Sequence, residues 1–469
     1  MFKNNFPREL ALNSMTKIAL RTAPVIVKNT PIRHTVIWTA EHISHLFNNK
    51  RRPSYDRPPG VIADRAEFSQ AILHSIERLF SQGVSPMVSQ RLIENLVRGI
   101  FIDGGYQEAK ERFFEENQSY PPSFLTLSPG KTCNLHCKGC YASAGPTGEK
   151  LDWDIFDRII TEAKTQWGVR FLVISGGEPL AYRSNGKGIL DAAEKHPDIF
   201  FLMYTNGTLI NDSVADRLAN LGNLTPAISV EGWRERTDER RGEGVFDKVL
   251  AAMTRLRHVG VPFGISITAT RNNAEEILSD KFLDFFFEQQ GVTYGWIFHY
   301  MPIGRSYSLA LMPTPEQRVW MWRRMWQIIR ERHIFLADFW NSATLSDGCI
   351  AGGRAQGGGY LYIDWNGNVS PCVFVPYSPI NIKDIYAKGG TLNDVWANPF
   401  FAGIRNWQEG YRQNKGNWLA PCIIRDHHSE LRKLIAQNEP DPTDEFARQA
   451  LLDPEYAHGL EEYDKQHQA

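Results

Sequence analysis

Cys133-Asn134-Leu135-His136-Cys137-Lys138-Gly139-Cys140-Tyr141-Ala142 places three cysteines on one short loop with the spacing C-x3-C-x2-C. Three thiolates so spaced can hold three irons of a cubane [4Fe-4S] cluster. Most such clusters take four cysteines, so a loop that supplies three leaves one iron without a protein ligand. An open coordination position separates a metal that does chemistry from one that only holds structure. A zinc knuckle is the competing reading. Zinc wants a fourth Cys or His at matched spacing, and His136 lies inside the loop, badly placed to close a tetrahedron. The spacing therefore favours iron–sulfur over zinc.

The residues after the loop extend the reading. A helix is expected from near Asp152, with Ile155, Phe156, Ile159 and Ile160 at helical spacing. Val169 to Ser175 is a short apolar run that reads as a buried strand, and it ends in Gly176-Gly177-Glu178-Pro179. Two glycines at a strand end let the backbone approach a ligand closely. In isolation an ordinary strand–loop boundary reads the same way.

Taken together, these motifs resemble the radical S-adenosylmethionine (radical SAM) superfamily over roughly residues 124 to 305, with a weaker extension to about 430. Cys133, Cys137 and Cys140 match the family's cluster loop, and Gly176-Gly177-Glu178-Pro179 matches its GGEP turn, which meets the cofactor's amino group. Tyr204-Thr205-Asn206-Gly207 is similar to the end of the third strand, and Ile228-Ser229-Val230-Glu231-Gly232 to the fourth. By this resemblance Thr205, Asn206, Ser229 and Glu231 lie among the cofactor contacts. Thr237 to Gly242 resembles the H-D-x-x-R-G stretch that follows, which makes Arg241 the cation for the cofactor carboxylate. Gly264 to Thr270 and Val292 to Gly304 complete a fifth and a sixth strand, and Tyr300-Met301-Pro302-Ile303-Gly304 resembles the sixth-strand exit. Two positions depart from the family. Gly139 stands where an aromatic usually precedes the third cysteine, with Tyr141 on its other side, and Thr237 stands where the pattern has His.

The resemblance implies an α/β fold: an open, partial (β/α)6 barrel with its active site at the carboxyl ends of the strands. It implies a [4Fe-4S] cluster and S-adenosylmethionine as cofactors. It also implies a reductase partner such as flavodoxin or ferredoxin, and a 5′-deoxyadenosyl radical that takes hydrogen from a substrate. The cofactors carry that chemistry, and the protein supplies placement and exclusion of water.

The carboxyl-terminal third has its own constellation. Cys349 and Cys372 bracket a Gly-rich stretch and a hairpin, Tyr360 to Val369, whose Asn366-Gly367 is a tight-turn signal. Cys422 follows, in Pro421-Cys422-Ile423-Ile424-Arg425-Asp426-His427-His428. Cys349, Gly367 and Cys372 resemble the start of the SPASM and twitch extensions of the superfamily, which carry auxiliary [4Fe-4S] clusters. The full SPASM pattern needs seven cysteines and only three remain here, so the resemblance implies at most one auxiliary cluster, on Cys349, Cys372 and Cys422. Its fourth ligand would be His427, His428, Asp426, water or substrate. Ordinary buried cysteines are the alternative.

Five segments follow: a helical amino-terminal region (1–120), the core barrel (121–310), a helical linker (311–345), the SPASM/twitch-like domain (346–430) and an acidic tail (431–469). Hydrophobic content of 42% with 22% charged residues is ordinary globular usage, and no apolar run is long enough to cross a bilayer. No signal peptide is evident, and free thiols at metal-ligand spacing fit a reducing, cytoplasmic setting. A net charge of −1 makes no case for nucleic acid. The charge is uneven, with nine Lys or Arg against two acidic residues in 1–52. Ile32, Val36, Ile37, Ala40, Ile43, Leu46 and Phe47 are spaced for one helical face there. A basic amphipathic helix can lie on an anionic membrane surface, or pack on its own domain.

Arg318, Trp320, Trp322, Arg323, Arg324 and Trp326 form a basic aromatic helix that could touch an anionic substrate or a lipid headgroup, and that reads best as packing one face on the barrel. No nucleophile arrangement stands out, and no catalytic side chain is assigned. The reading is a radical SAM enzyme acting on a peptide or protein, a tetrapyrrole or a lipid, with the 12% aromatic content leaning toward a hydrophobic substrate. The competing class is a non-catalytic metal- or cluster-binding protein on a degenerate barrel.

Overall fold

The computed structural model describes residues 59–469, apart from 102, 103, 306, 355, 415 and 469. The basic amphipathic stretch near the amino terminus lies outside the described residues.

Three helices open the described chain: α1 (Pro59–Gln82), α2 (Pro86–Phe101) and α3 (Gly104–Asn117). Strands and helices then alternate: β1 (Phe124–Leu127), α4 (Trp153–Gln166), β2 (Phe171–Ile174), α5 (Ile189–Lys195), β3 (Phe200–Thr205), α6 (Asp212–Leu221) and β4 (Leu224–Val230). The series continues through α7 (Arg234–Arg241), α8 (Val245–His258), β5 (Gly264–Ala269) and β6 (Tyr294–His299). All neighbouring pairs from β1 to β6 are parallel, as crossover helices require. The helical periodicity read after the loop is met in α4. Phe156, Ile159, Ile160 and Ala163 are buried against the sheet, and each large apolar side chain so buried contributes about 1.5–3 kcal/mol. Asn211 accepts the Val214 N–H and starts α6, and Gly222 ends it in a left-handed conformation with its own N–H on the Leu218 carbonyl.

The sheet extends beyond six strands. After α9 (Pro315–Arg332) comes β7 (Leu336–Asp338), parallel to β6. β8 (Tyr360–Ile363) pairs parallel with the other edge, β1, and then folds back as β9 (Asn368–Ser370). Gly367 at φ +88° makes that turn. Ten strands result, in the order β11-β9-β8-β1-β2-β3-β4-β5-β6-β7, where β10 is Tyr377–Ser378 and β11 is Ile380–Asn381. Residues of the carboxyl-terminal region thus share one sheet with the barrel. The two edges also approach each other: the Phe339 ring, just after β7, lies 6.3 Å from the Tyr360 ring on β8. α1 closes the same side, with Arg65 donating to the Leu345 carbonyl at 2.8 Å and Phe68 edge-on to Phe335 at 5.3 Å.

The acidic terminal segment is ordered helix. α10 (Ile382–Ala387) and α11 (Pro399–Gln413) lead to α12 (His428–Asn438), α13 (Glu445–Leu452) and α14 (Pro454–Gln468). Tyr463 donates to the Pro313 carbonyl at 2.7 Å, and Tyr456 packs edge-on to Tyr307 at 5.3 Å, so α14 lies against the chain leaving β6. Among the described residues no helix is long and apolar enough to cross a membrane.

Candidate cluster and cofactor site

The loop between β1 and α4 carries Cys133, Cys137 and Cys140, all free thiols and all partly buried. The chain leaving β6 clasps it from above. Arg305 donates its backbone N–H to the Cys140 carbonyl at 3.0 Å and its guanidinium to the Cys137 carbonyl at 2.9 Å. From the side, Lys138 donates its N–H to the Arg240 carbonyl at 2.9 Å. Burial pushes the Cys133 thiol up to about 11, and negative charge on Cys137 and Cys140 pushes the same way. A metal that takes Cys133 as a ligand would hold it as the thiolate against this cost.

The departure at Gly139 is resolved here. Gly139 has φ +63°, and a Cβ on it would meet Cε2 of the Tyr300 ring at 3.0 Å. The ring of Tyr300, from the exit of β6, fills the space that a side chain at 139 would take. Tyr141 points elsewhere. Its hydroxyl lies 2.6 Å from Ser175 Oγ and accepts the Gly176 N–H at 3.0 Å.

The glycine turn after β2 is packed backbone on backbone. A Cβ on Gly177 would lie 2.3 Å from the Thr132 carbonyl oxygen, and one on Gly176, at φ +107°, 2.8 Å from that of Gly130. Glu178 is buried behind the turn. Its carboxylate accepts from the Thr205 hydroxyl at 2.7 Å, the Asn206 N–H at 2.8 Å and the Leu180 N–H at 3.1 Å, which locks the GGEP turn to the end of β3. Burial raises the Glu178 pKa, and these donors oppose the rise. Asn206 then reaches the cysteine loop, donating to Asn134 Oδ1 at 2.9 Å.

After β4, Glu231 is buried between two cations. Arg241 Nε donates to it at 2.9 Å, and Arg240 Nη1 lies 2.7 Å from its other oxygen. Thr237, in the place of the family's His, accepts the Glu231 N–H at 3.1 Å, and Asn273 donates to the Glu231 carbonyl at 2.8 Å.

These elements surround one cavity of about 440 Å³. Cys133, Cys137, Cys140, Gly176, Gly177, Thr205, Asn206, Ser229 and Arg241 line it. Glu178, Pro179 and Glu231 do not. The Glu178 carboxylate instead bonds Thr205 and Asn206, and that of Glu231 pairs with Arg241 and Arg240, all of which line it. Sequence reasoning misses Arg240 and Asn273, while Tyr141 and Tyr300 stand in its motifs without an assigned role. Deeper in the barrel the wall is apolar: Phe124, Phe171, Val173, Leu202, Trp296 and Ala337.

Cys349, Cys372 and Cys422 meet at a second, smaller space of about 40 Å³ beside the gap between β7 and β8. Burial raises all three thiols, Cys422 to about 11. Of the three side chains named for a fourth ligand, Asp426 is engaged elsewhere, and each histidine has one ring nitrogen on a backbone carbonyl. His427 bonds the Ala420 carbonyl at 2.8 Å, and His428 bonds the Ile424 carbonyl at 3.0 Å. Asp426 is buried between Arg318 and Arg425, 2.8 Å from each, and the two cations hold its carboxyl far below the usual range. Arg425 also donates to His299 Nδ1 at 2.9 Å, so His299 donates its other N–H to Asp338 at 2.8 Å. Asp426 and Arg425 therefore serve this ion chain and not the thiols. Among the described residues no group of three His, Cys, Asp or Glu side chains is arranged to hold a single metal ion. All-thiol sets of three at two places suit multi-iron clusters, whose ligands stand further apart, better than zinc.

The comparisons with known proteins agree with this geometry. The model of the radical SAM superfamily matches residues 127–280, and that of the SPASM iron–sulfur cluster-binding domain matches 355–423. The mycofactocin maturase MftC of Mycobacterium ulcerans is 30% identical over 298 residues, covering 61% of this chain and 78% of the relative. An AdoMet-dependent heme synthase of Methanosarcina barkeri is 27% identical, covering 59% and 83%. Among solved structures, Streptococcus suis SuiB bound to S-adenosylmethionine has the same fold at a TM-score of 0.52, with 19% identity over 72% of this chain and 77% of that one. The chain belongs to the radical SAM superfamily and carries a SPASM-type iron–sulfur domain. It is an enzyme of that class, and its cofactors are a [4Fe-4S] cluster, S-adenosylmethionine and further iron–sulfur.

Proposed function

We propose that this enzyme removes hydrogen from an uncharged, hydrophobic group of a larger substrate. Cys133, Cys137 and Cys140 hold the catalytic cluster, and Cys349, Cys372 and Cys422 hold the auxiliary one. When bound, the reduced cluster and S-adenosylmethionine together supply a carbon radical strong enough to take a hydrogen atom from carbon. The chain places and shields. Gly176 and Gly177 bring backbone close to the cofactor because neither carries a side chain. Arg240 and Arg241 present cations to its carboxylate while Glu231 balances their charge. Ser229, Thr205 and Asn206 offer polar contacts at the strand ends.

The observation that carries the substrate class is the wall of the cavity below the cysteine loop. Among the described residues its only cations are Arg240 and Arg241, both engaged by Glu231, and its one acid, Asp338, is engaged by His299. With Arg240 and Arg241 committed to Glu231 and the cofactor carboxylate, a charged substrate group placed there would lose its hydration without gaining a partner. The aromatic lining suits an aliphatic or aromatic group instead. Relatives named as haem synthases make a tetrapyrrole the second reading, and its carboxylates would have to stay outside the cavity.

The test offers three substrates to the reduced, reconstituted enzyme: a hydrophobic peptide, a long-chain lipid and an iron porphyrin carrying propionates. Each is scored by the rise in 5′-deoxyadenosine over the substrate-free rate. Stimulation by the peptide or the lipid, abolished in Ala337→Phe, is the expected result. Stimulation by the porphyrin alone, untouched in Ala337→Phe, would overturn the assignment.

A further inference from the structure

Tyr360 stands between the two sites. It lies on β8 opposite Phe124 of β1, and the two rings stack at 5.0 Å with their planes 3° apart. Its ring lines both the large cavity and the small space of the second cysteine set. Its hydroxyl is 2.9 Å from Cys372 Sγ, and both residues are buried.

The direction of that hydrogen bond follows from chemistry. A cysteine that ligates iron is a thiolate and has no proton to give. The Val373 N–H also donates to the Tyr360 oxygen at 3.3 Å, which fills an acceptor position and leaves the phenol proton for sulfur. The Phe374 N–H, 3.4 Å from the same sulfur, adds a second donor. Hydrogen bonds to ligand sulfur are among the terms that set an iron–sulfur potential. One-electron reduction adds negative charge to the cluster, so a donor aimed at its sulfur stabilises the reduced form more than the oxidised one. Burial strengthens the effect because no water competes.

We propose that Tyr360 is a positioning residue for the auxiliary cluster, raising its reduction potential through the O–H···S bond to Cys372 and biasing it toward holding an electron. The proposal rests on the assignment of Cys349, Cys372 and Cys422 as that cluster's ligands. The ring stack on Phe124 fixes the phenol's angle, so β1, a strand of the substrate cavity, also holds the tuning group in place.

The test is a redox titration of the reconstituted holoenzyme, read by electron paramagnetic resonance, after iron analysis of each protein. Tyr360→Phe should move the auxiliary midpoint to a more negative potential and leave that of the Cys133/Cys137/Cys140 cluster in place. Placing 3-fluorotyrosine at position 360 makes a stronger donor of nearly the same size and should move the auxiliary midpoint the other way. If Tyr360→Phe fails to load the auxiliary iron, the fluorinated protein decides alone. An unchanged auxiliary midpoint in a protein with full iron would overturn the role of Tyr360 and leave the ligand assignment standing. A native protein with only one cluster would overturn the ligand assignment itself.

Discussion

The Tyr141 hydroxyl lies 2.6 Å from that of Ser175, and the same oxygen accepts the N–H of Gly176 at 3.0 Å. One phenol thus ties the cysteine loop to the glycine turn after β2. The loop and the turn, the two parts of the proposed cofactor site, come from segments more than thirty residues apart and are joined by this contact. Tyr141→Phe keeps the ring and removes both bonds. A neutral hydrogen bond contributes about 1 kcal/mol, so affinity for S-adenosylmethionine should fall roughly fivefold by calorimetry, with the iron content unchanged. Unaltered affinity would show that the loop and the turn are aligned without it.

Gly177→Ala sets a methyl group against two backbone carbonyls, at 2.3 Å from Thr132 and 2.5 Å from Lys131. Neither can move without shifting the cysteine loop. The variant should lose at least about 2 kcal/mol of stability in urea denaturation and most of its cofactor binding. Gly148→Ala, with nothing within 4 Å of its Cβ, is the control and should do neither.

Much of this was legible in the sequence, for a physical reason. Cys133, Cys137 and Cys140 lie within one loop, and Gly176-Gly177 within one turn, so local spacing encodes them. The pairings that complete the site are not local. Tyr300 fills the space above Gly139 from 161 residues further along the chain, which no spacing rule exposes. β8 closes on β1 across more than two hundred residues. The polar run after Cys422 offers three candidate ligands, but Asp426 is claimed by Arg318, 108 residues away, and each histidine has one ring nitrogen on a nearby carbonyl. Glu178 and Glu231 read as contacts in a motif; what the motif does not show is that their carboxylates engage Thr205, Asn206, Arg240 and Arg241 of the cavity wall.

Asp426 is the centre of a buried ion chain, with Arg318 and Arg425 on either side and the Cys422 N–H donating to it at 3.1 Å. Asp426→Asn would leave two buried guanidiniums without the carboxylate they share. Breaking such a pair costs about 3–5 kcal/mol. Chemical denaturation should register that loss, and iron analysis should show the auxiliary cluster depleted before the catalytic one. Equal depletion of both would place the effect on global folding.

His428 is buried with its Nε2 unpartnered, and burial, helped by Arg432, lowers its pKa to about 4. In the unfolded chain a histidine titrates at about 6.5. Between those values the unfolded chain binds a proton that the folded one refuses. Stability therefore falls as pH drops through that window, by up to about 1.4 kcal/mol per pH unit, and the effect levels off below it. His428→Phe should flatten this part of the stability–pH curve, measured by anaerobic urea denaturation from pH 7 to 4.5. An identical slope would assign the pH dependence to other groups.

The central claim is that this chain performs radical chemistry at the Cys133/Cys137/Cys140 loop. The most direct measurement starts from protein reconstituted with iron and sulfide under anaerobic conditions, reduced with dithionite, and shown by electron paramagnetic resonance to hold a reduced [4Fe-4S] cluster. S-adenosylmethionine is added and 5′-deoxyadenosine is quantified beside Cys137→Ala. The account predicts product from the native chain and none from the variant. Equal product from both, or none from native protein whose reduced cluster demonstrably binds S-adenosylmethionine, would contradict it.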